Sequence, residues 1–160
     1  MSAAEFVEFL EFSGTFSVVA KFILDNGKEF SVGPYTFVGK RKKPNNCFGN
    51  AALMALADER LLYVEGYVTC RGIPIHHAWN VDLDGKLIDP TLTGGLHHYF
   101  GVVFTTDYLK KAVLKNGYYG SLLDIMYAKT LPALIAGKAK TALAKHPAST
   151  TLSSGQSSQI

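Results

Sequence analysis

An α+β domain, in which a central helix carrying a cysteine packs on an antiparallel β-sheet, is what this sequence predicts, and three observations carry that expectation. Ala51-Ala52-Leu53-Met54-Ala55-Leu56-Ala57 joins strong helix formers that are apolar nearly all round, the signature of a buried helix. Small residues at Gly49, Ala51 and Ala52 let such a helix lie close against a sheet. Two runs of strand composition follow it, Tyr63 to Val68 and Ile75 to Val81, separated by the Arg71-Gly72-Ile73-Pro74 turn.

The remaining elements are read in chain order. Ala3 to Phe12 sets Phe6, Phe9 and Leu10 at helical spacing against Glu5, Glu8 and Glu11, which predicts a short amphipathic helix stopped at Ser13-Gly14. Thr15 to Leu24, rich in Val, Phe and Ile, reads as a strand. Asp25-Asn26-Gly27-Lys28 then reads as a hairpin turn, with Phe30 to Val38 as the returning strand. Lys40-Arg41-Lys42-Lys43 reads as a solvated loop that could also draw an acidic substrate. Asn46 is a good N-cap for the central helix, which should end near Asp58-Glu59-Arg60. After Thr91-Leu92-Thr93-Gly94-Gly95-Leu96, a flexible connection, Tyr99 to Phe104 reads as a strand. Thr105 or Thr106 caps a helix over Asp107 to Lys115, and Asn116-Gly117 stops it. Tyr118 to Thr130 is expected to be helical, as is the Ala-rich stretch after Pro132. The expected organisation is a domain over residues 1–130, a C-terminal helix over 131–146, and a tail over 147–160 too poor in large apolar residues to fold.

Composition bounds the function. The chain has 160 residues, 48% hydrophobic and 18% charged, enough for one domain with a real core. A net charge of +3 without a long basic stripe argues against nucleic acid as the main partner. No basic N-terminal segment precedes an apolar run, and no apolar run is long enough to span a bilayer. The two cysteines, Cys47 and Cys70, stand in unmatched contexts; that suggests no disulfide and a reducing cytoplasm as the home. His97-His98 would point apart on a strand, and neither Cys-x-x-Cys nor His-x-x-x-His occurs, so neither a metal nor a cofactor is expected.

The chemistry concentrates between Pro44 and Thr91. Cys47 falls at the first turn of the central helix, where unpaired N–H groups and the positive end of the macrodipole favour an anion; the thiolate is the nucleophilic form of cysteine. The amides of Cys47 and Phe48, or a side-chain amide from Asn45 or Asn46, could donate to an oxyanion. On an extended strand His77, Trp79 and Val81 share one face while His76, Ala78 and Asn80 share the other. His77 is the better base, because Trp79 on its own face could shield the imidazole. Asp89 can orient His77 only if the intervening loop is odd. A two-residue Asp84-Gly85 turn would put them on opposite faces, whereas a three-residue Leu83-Asp84-Gly85 loop pairs Trp79 with Asp89 and sets Asp89 diagonal to His77. Asn80, on the other face, reads as a structural hydrogen bonder, Cys70 as structural, and Tyr67 as either core or a wall of the acyl pocket.

Cys47 in Asn-Cys-Phe-Gly-Asn-Ala, then Gly66-Tyr67, then His77 in His-Ala-Trp-Asn, then Asp89 in Asp-Pro-Thr, resembles in its order the transglutaminase-like superfamily within the papain-like cysteine peptidases. The resemblance implies a papain-like core with nucleophile, base and orienting carboxylate at Cys47, His77 and Asp89. It implies a thiol peptidase or amidohydrolase working through a thioester on a peptide, protein or small carboxamide, without nucleic acid or membrane. Transglutaminase-type or N-acyl transfer, as in arylamine acetyltransferases, and a non-catalytic binding module on the same framework are the alternatives.

Overall fold

The computed structural model describes residues 1–14, 17–30, 43–92 and 97–145. The expected strand from 31 to 38, the basic run 40–42, the connection 93–96 and the tail from 147 lie outside the described residues.

Helix α1 (Ala3–Phe12) opens with a capping box in which Ser2 Oγ accepts from Glu5 N (3.2 Å). Its inward residues are Ala3 and Val7, while Phe9 is exposed. The chain from Ser17 to Asn26 forms α2, not a strand: Val19, Ala20 and Ile23 are buried at helical spacing and Val18 faces out. Its β-branched composition pointed to a strand, but burial on one helical stripe outweighs that modest preference. The expected hairpin turn is accordingly the end of this helix, with Asn26 Nδ2 donating to Phe22 O (2.9 Å) and Gly27 N to Ile23 O (2.7 Å). Strand β1 (Lys28–Phe30) follows.

The central helix α3 (Cys47–Ala57) turns Gly49, Asn50, Ala51, Ala52 and Ala55 inward and leaves Leu53 half exposed. It leads into β2 (Leu61–Cys70), β3 (Ile73–Asp82), the two-residue β4 (Leu87–Ile88) and β5 (His97–Phe104). The five strands make one antiparallel sheet in the order β1-β5-β2-β3-β4. Helix α4 (Thr106–Asn116) is capped by Thr105, whose hydroxyl accepts from Tyr108 N, and ends at left-handed Gly117.

Residues 118–130 do not continue as a helix. Side-chain acceptors take their amides instead: Glu65 receives Leu122 N and Leu123 N, and Asp124 Oδ1 receives Met126 N and Tyr127 N. The C-terminal helix is also shorter than expected. Helix α5 spans Leu131–Ile135 and gives way at left-handed Gly137, after which Ala144 N donates to Val103 O and Leu143 bridges Phe104.

Both faces of the sheet are buried, by different means. All five helices contribute to the core on one face, where Tyr63, Ala78, Val102 and Phe104 meet Val7, Ile23, Ala51, Ala55 and Leu109. On the other face Phe30, Val64, Val68, Trp79, Val81, Tyr99 and Val103 pack on one another. Phe30 of β1 meets Trp79 of β3 with ring centroids 5.6 Å apart, although two strands lie between them. Neighbouring strands sit about 4.8 Å apart, so a flat sheet would hold those rings well out of contact; the sheet is curled over Trp79. The curl needs Gly101, because a Cβ there would stand 2.6 Å from Trp79 Cη2.

Candidate functional site

The β3–β4 connection sets the site. Asn80 pairs with Ile88 and Val81 with Leu87, so the loop is Leu83-Asp84-Gly85 and the continuing register brings Asp89 opposite Trp79. Gly85 is left-handed (φ 83°), and its N–H closes onto Asp82 O (3.0 Å). Asp82 Oδ1 steadies the loop by accepting from Asp84 N and Lys86 N. This is the odd register that keeps Asp89 on the face of His77.

His77 Nε2 and Asp89 Oδ2 are 2.8 Å apart, with both residues buried. Asp89 Oδ2 also accepts from the Tyr99 hydroxyl (2.8 Å), while Oδ1 accepts from Thr91 N (2.8 Å) and Leu92 N (2.9 Å). With Nε2 committed to the carboxylate, Nδ1 is the ring nitrogen left open to Cys47, whose side chain favours the charged imidazole. Burial disfavours the imidazolium, but the hydrogen bonds to Asp89 and Cys47 outweigh it and raise His77 to about 9. For Asp89, burial pushes upward and the His77 hydrogen bond, with the two turn amides, prevails and lowers the carboxyl. The pair is therefore imidazolium and carboxylate at neutral pH. Trp79 is fully buried and stacks on His77 (centroids 6.2 Å, planes 18° apart), which keeps water from that side of the ring.

Cys47 and His77 belong to elements on different sides of the sheet, since α3 packs on the Ala78 face and His77 points to the Trp79 face. The pairing of β4 with β3 stops at Asn80, and in the stretch of β3 before it Phe48, from the first turn of α3, packs on His76. Asn50 ties the two sides together, its Nδ2 donating to Thr91 Oγ1 (3.0 Å) and Lys43 O (2.7 Å). Asn80 Nδ2 anchors the helix to the sheet through Ala51 O (2.9 Å), the structural part expected of it.

The remaining sequence candidates fall as follows. The first helical hydrogen bond of α3 runs from Asn50 N to Asn46 O (2.8 Å), so the amides of Cys47 and Phe48 precede the ladder, as an oxyanion donor must. Asn46 occupies the N-cap position but makes no side-chain capping bond; its amide folds back against Gly49, whose missing Cβ makes room for it. Asn45 adopts a left-handed conformation (φ 57°) in the turn before the helix. Phe48 and Tyr67 are not beside His77. Both rings pack on His76 instead, at 5.1 and 5.2 Å between centroids. Cys70 ends β2 opposite His97, and both cysteines are free.

Two residues that sequence reasoning passed over bear on the site. Tyr99 reaches Asp89 from β5, a contact that required knowing the sheet order; alternation along β5 was the available signal. Glu65 is a fully buried carboxylate in an otherwise apolar strand run, which was itself a signal. It accepts from Tyr63 Oη (2.7 Å), Leu122 N (2.8 Å), Leu123 N (3.2 Å) and the Ser121 hydroxyl. His76 Nε2 lies 3.0 Å from Glu65 Oε1, within ion-pair range but off the line of the ring N–H. Burial pushes the Glu65 carboxyl up, yet His76 and the two hydroxyl donors overcome it and hold Glu65 below the usual carboxylate range.

Among the described residues no group of three or more His, Cys, Asp or Glu could hold a metal, and no helix is long and apolar enough to cross a membrane. Comparison of the chain with protein-family models, with curated proteins and with solved structures finds no match.

Proposed function

We propose that this chain is a cysteine-dependent acyl-transfer enzyme with a papain-like, transglutaminase-like core, acting as a thiol peptidase or amidohydrolase. One observation carries the reading: a buried imidazole hydrogen-bonded through Nε2 to Asp89, whose charged form both Asp89 and Cys47 favour. An imidazole used only for packing needs neither a buried carboxylate on Nε2 nor a cysteine that favours its charged form. The order of Cys47, His77 and Asp89 along the chain supports the same reading.

In this mechanism the imidazolium of His77 pairs with the Cys47 thiolate, which attacks a carboxamide carbonyl and forms the C–S bond. The amides of Cys47 and Phe48 at the head of α3 receive the oxyanion. His77 then gives its Nδ1 proton to the departing amine, the C–N bond breaks, and a thioester remains. Neutral His77 next takes a proton from water, whose oxygen displaces the thiolate and releases the acid. Asp89 keeps Nε2–H engaged throughout, so that Nδ1 alone exchanges protons. An amine taking the place of water would make the same site a transferase.

The test is the rate at which iodoacetamide alkylates Cys47, with Cys70 as the internal comparison. Cys47 is expected to react at least tenfold faster than Cys70 at pH 7, and His77→Ala is expected to remove the excess. Equal rates at the two cysteines, unaffected by His77→Ala, would overturn the reading.

A further inference from the structure

We infer that Asn50 and Thr91 are positioning residues for the reaction, a clamp that holds the head of α3 to the turn carrying Asp89 and so fixes the approach of Cys47 to His77. This inference rests on the thiol-nucleophile reading above.

Asn50 is a costly residue where it stands. It interrupts a run of Ala, Leu and Met in which Ala would serve helix propensity better. It is also 3% exposed, so its amide must find partners inside the protein. Both partners lie outside the helix: Nδ2 gives one proton to Thr91 Oγ1 (3.0 Å) and the other to Lys43 O (2.7 Å). Only a primary amide delivers two donors from one atom at that reach, since Asp or Leu offers none and Ser offers one. The residue type therefore answers to the clamp and not to the helix.

The clamp stands beside the nucleophile. Cys47 and Asn50 are three residues apart on α3 and hence neighbours on one helical face, with about 5–6 Å between Cβ atoms. Asn50 steadies the helix head through its main chain as well, its N–H donating to Asn46 O (2.8 Å). Because the Asn46–Cys47 peptide is planar and trans, that bond points the Cys47 N–H out of the helix start, the direction an oxyanion donor requires.

At its other end the clamp reaches the base. Thr91 belongs to the carboxylate's own turn: its N–H donates to Asp89 Oδ1 (2.8 Å) while its hydroxyl accepts from Asn50, and Asp89 Oδ2 lies 2.8 Å from His77 Nε2. A run of hydrogen bonds thus leads from the helix of the thiol to the imidazole. Asn80 also holds α3, through Ala51 O (2.9 Å), but a helix can tilt about a single anchor. The Thr91 bond supplies a second anchor, referred to the group that orients His77. Misplacing reacting groups by about 1 Å costs on the order of 10²-fold, so a small tilt would be felt.

The experiment measures iodoacetamide alkylation of Cys47 in the full chain at pH 7, with Cys70 as internal reference, for Thr91→Val, Thr91→Ser and Asn50→Ala, each alone and combined with His77→Ala. Thr91→Val removes the hydroxyl and keeps the N–H that Asp89 uses; Asn50→Ala removes both side-chain bonds. Each is expected to slow Cys47 at least fivefold and leave Cys70 as it is, whereas Thr91→Ser, which keeps the hydroxyl, stays within twofold of the unaltered chain. In the His77→Ala background Thr91→Val should change the rate by less than twofold, because no base remains to be approached. Rates within twofold of the unaltered chain for both Thr91→Val and Asn50→Ala, with Cys47 still at least tenfold faster than Cys70, would overturn the clamp and leave the nucleophile standing. A fivefold loss that persists in the His77→Ala background would do the same, marking the pair as support for the helix alone. Cys47 reacting no faster than Cys70 in the unaltered chain would overturn both.

Discussion

Two histidine–carboxylate pairs stand back to back on this sheet, one residue apart in sequence and on opposite faces. His77 with Asp89 is sealed: the ring is 3% exposed, its Nε2 is in hydrogen-bond geometry, and Cys47 favours its charged form. His76 with Glu65 has similar atoms at a similar distance, 3.0 Å, but the ring is about one third exposed and is held between Phe48 and Tyr67. Its carboxylate turns its other contacts to a loop. The difference teaches that a histidine beside a buried acid is not in itself a proton-transfer device. What separates the two is whether the second nitrogen has somewhere to send a proton.

The largest break in this comparison is expected from truncating the rings. His77→Ala and Cys47→Ala should each lower the rate of hydrolysis, or of labelling by a carbonyl-directed probe, by about 10³-fold or more. His76→Ala should lower it by less than tenfold. Comparable losses at both histidines would mean that the two faces are not functionally distinct.

The acids should behave in the opposite way. Glu65→Ala leaves Ser121, Leu122 and Leu123 donors buried without an acceptor, and is expected to cost about 3–5 kcal/mol of stability, read from chemical denaturation. Asp89→Asn can still accept the Thr91 and Leu92 amides through its Oδ1, so its main effect should be kinetic, about 10²-fold. A large loss of stability for Asp89→Asn with an unchanged rate would contradict the assignment.

Titration sharpens the contrast further. His77 is raised from 6.5 to about 9 in the folded chain, so the stability it contributes is complete below pH 6.5 and is lost as pH rises through about 9. Denaturation at pH 6 and pH 9.5 should show that loss, of up to about 3 kcal/mol, and His77→Gln should lack it. The rate should carry an alkaline limb near pH 9, where the imidazolium disappears. The smallest effect is expected from Tyr99→Phe, which removes one donor to Asp89 and should slow the reaction about 2- to 10-fold while changing stability by about 1 kcal/mol.

Much of the site was legible before the fold was. Cys47 at the head of an Ala-rich helix, His77 beside Trp79 and the odd loop before Asp89 are local features, set by helix propensity, strand alternation and turn length. What the sequence hid was non-local. Ser17 to Asn26 carries strand-forming residues, and only its burial against the Tyr63 face makes it a helix. Residues 118–130 carry helix formers, yet a carboxylate more than fifty positions earlier takes their amides. Tyr99 and Asn50 join the site through contacts that require the strand order and the approach of α3 beside β3. Asn46 shows the limit at close range, for a residue ideally suited to cap instead turns its amide onto Gly49.

The loop Leu83-Asp84-Gly85 touches none of the reacting groups, yet its parity decides whether a carboxylate exists at the site at all. Losing one residue there would rotate Asp89 to the helical side, stranding His77 without an orienting anion while every side chain of the proposed triad remained in the sequence. Two added residues would preserve the alternation. Length variation at this exposed turn should accordingly be tolerated in steps of two and be inactivating in steps of one.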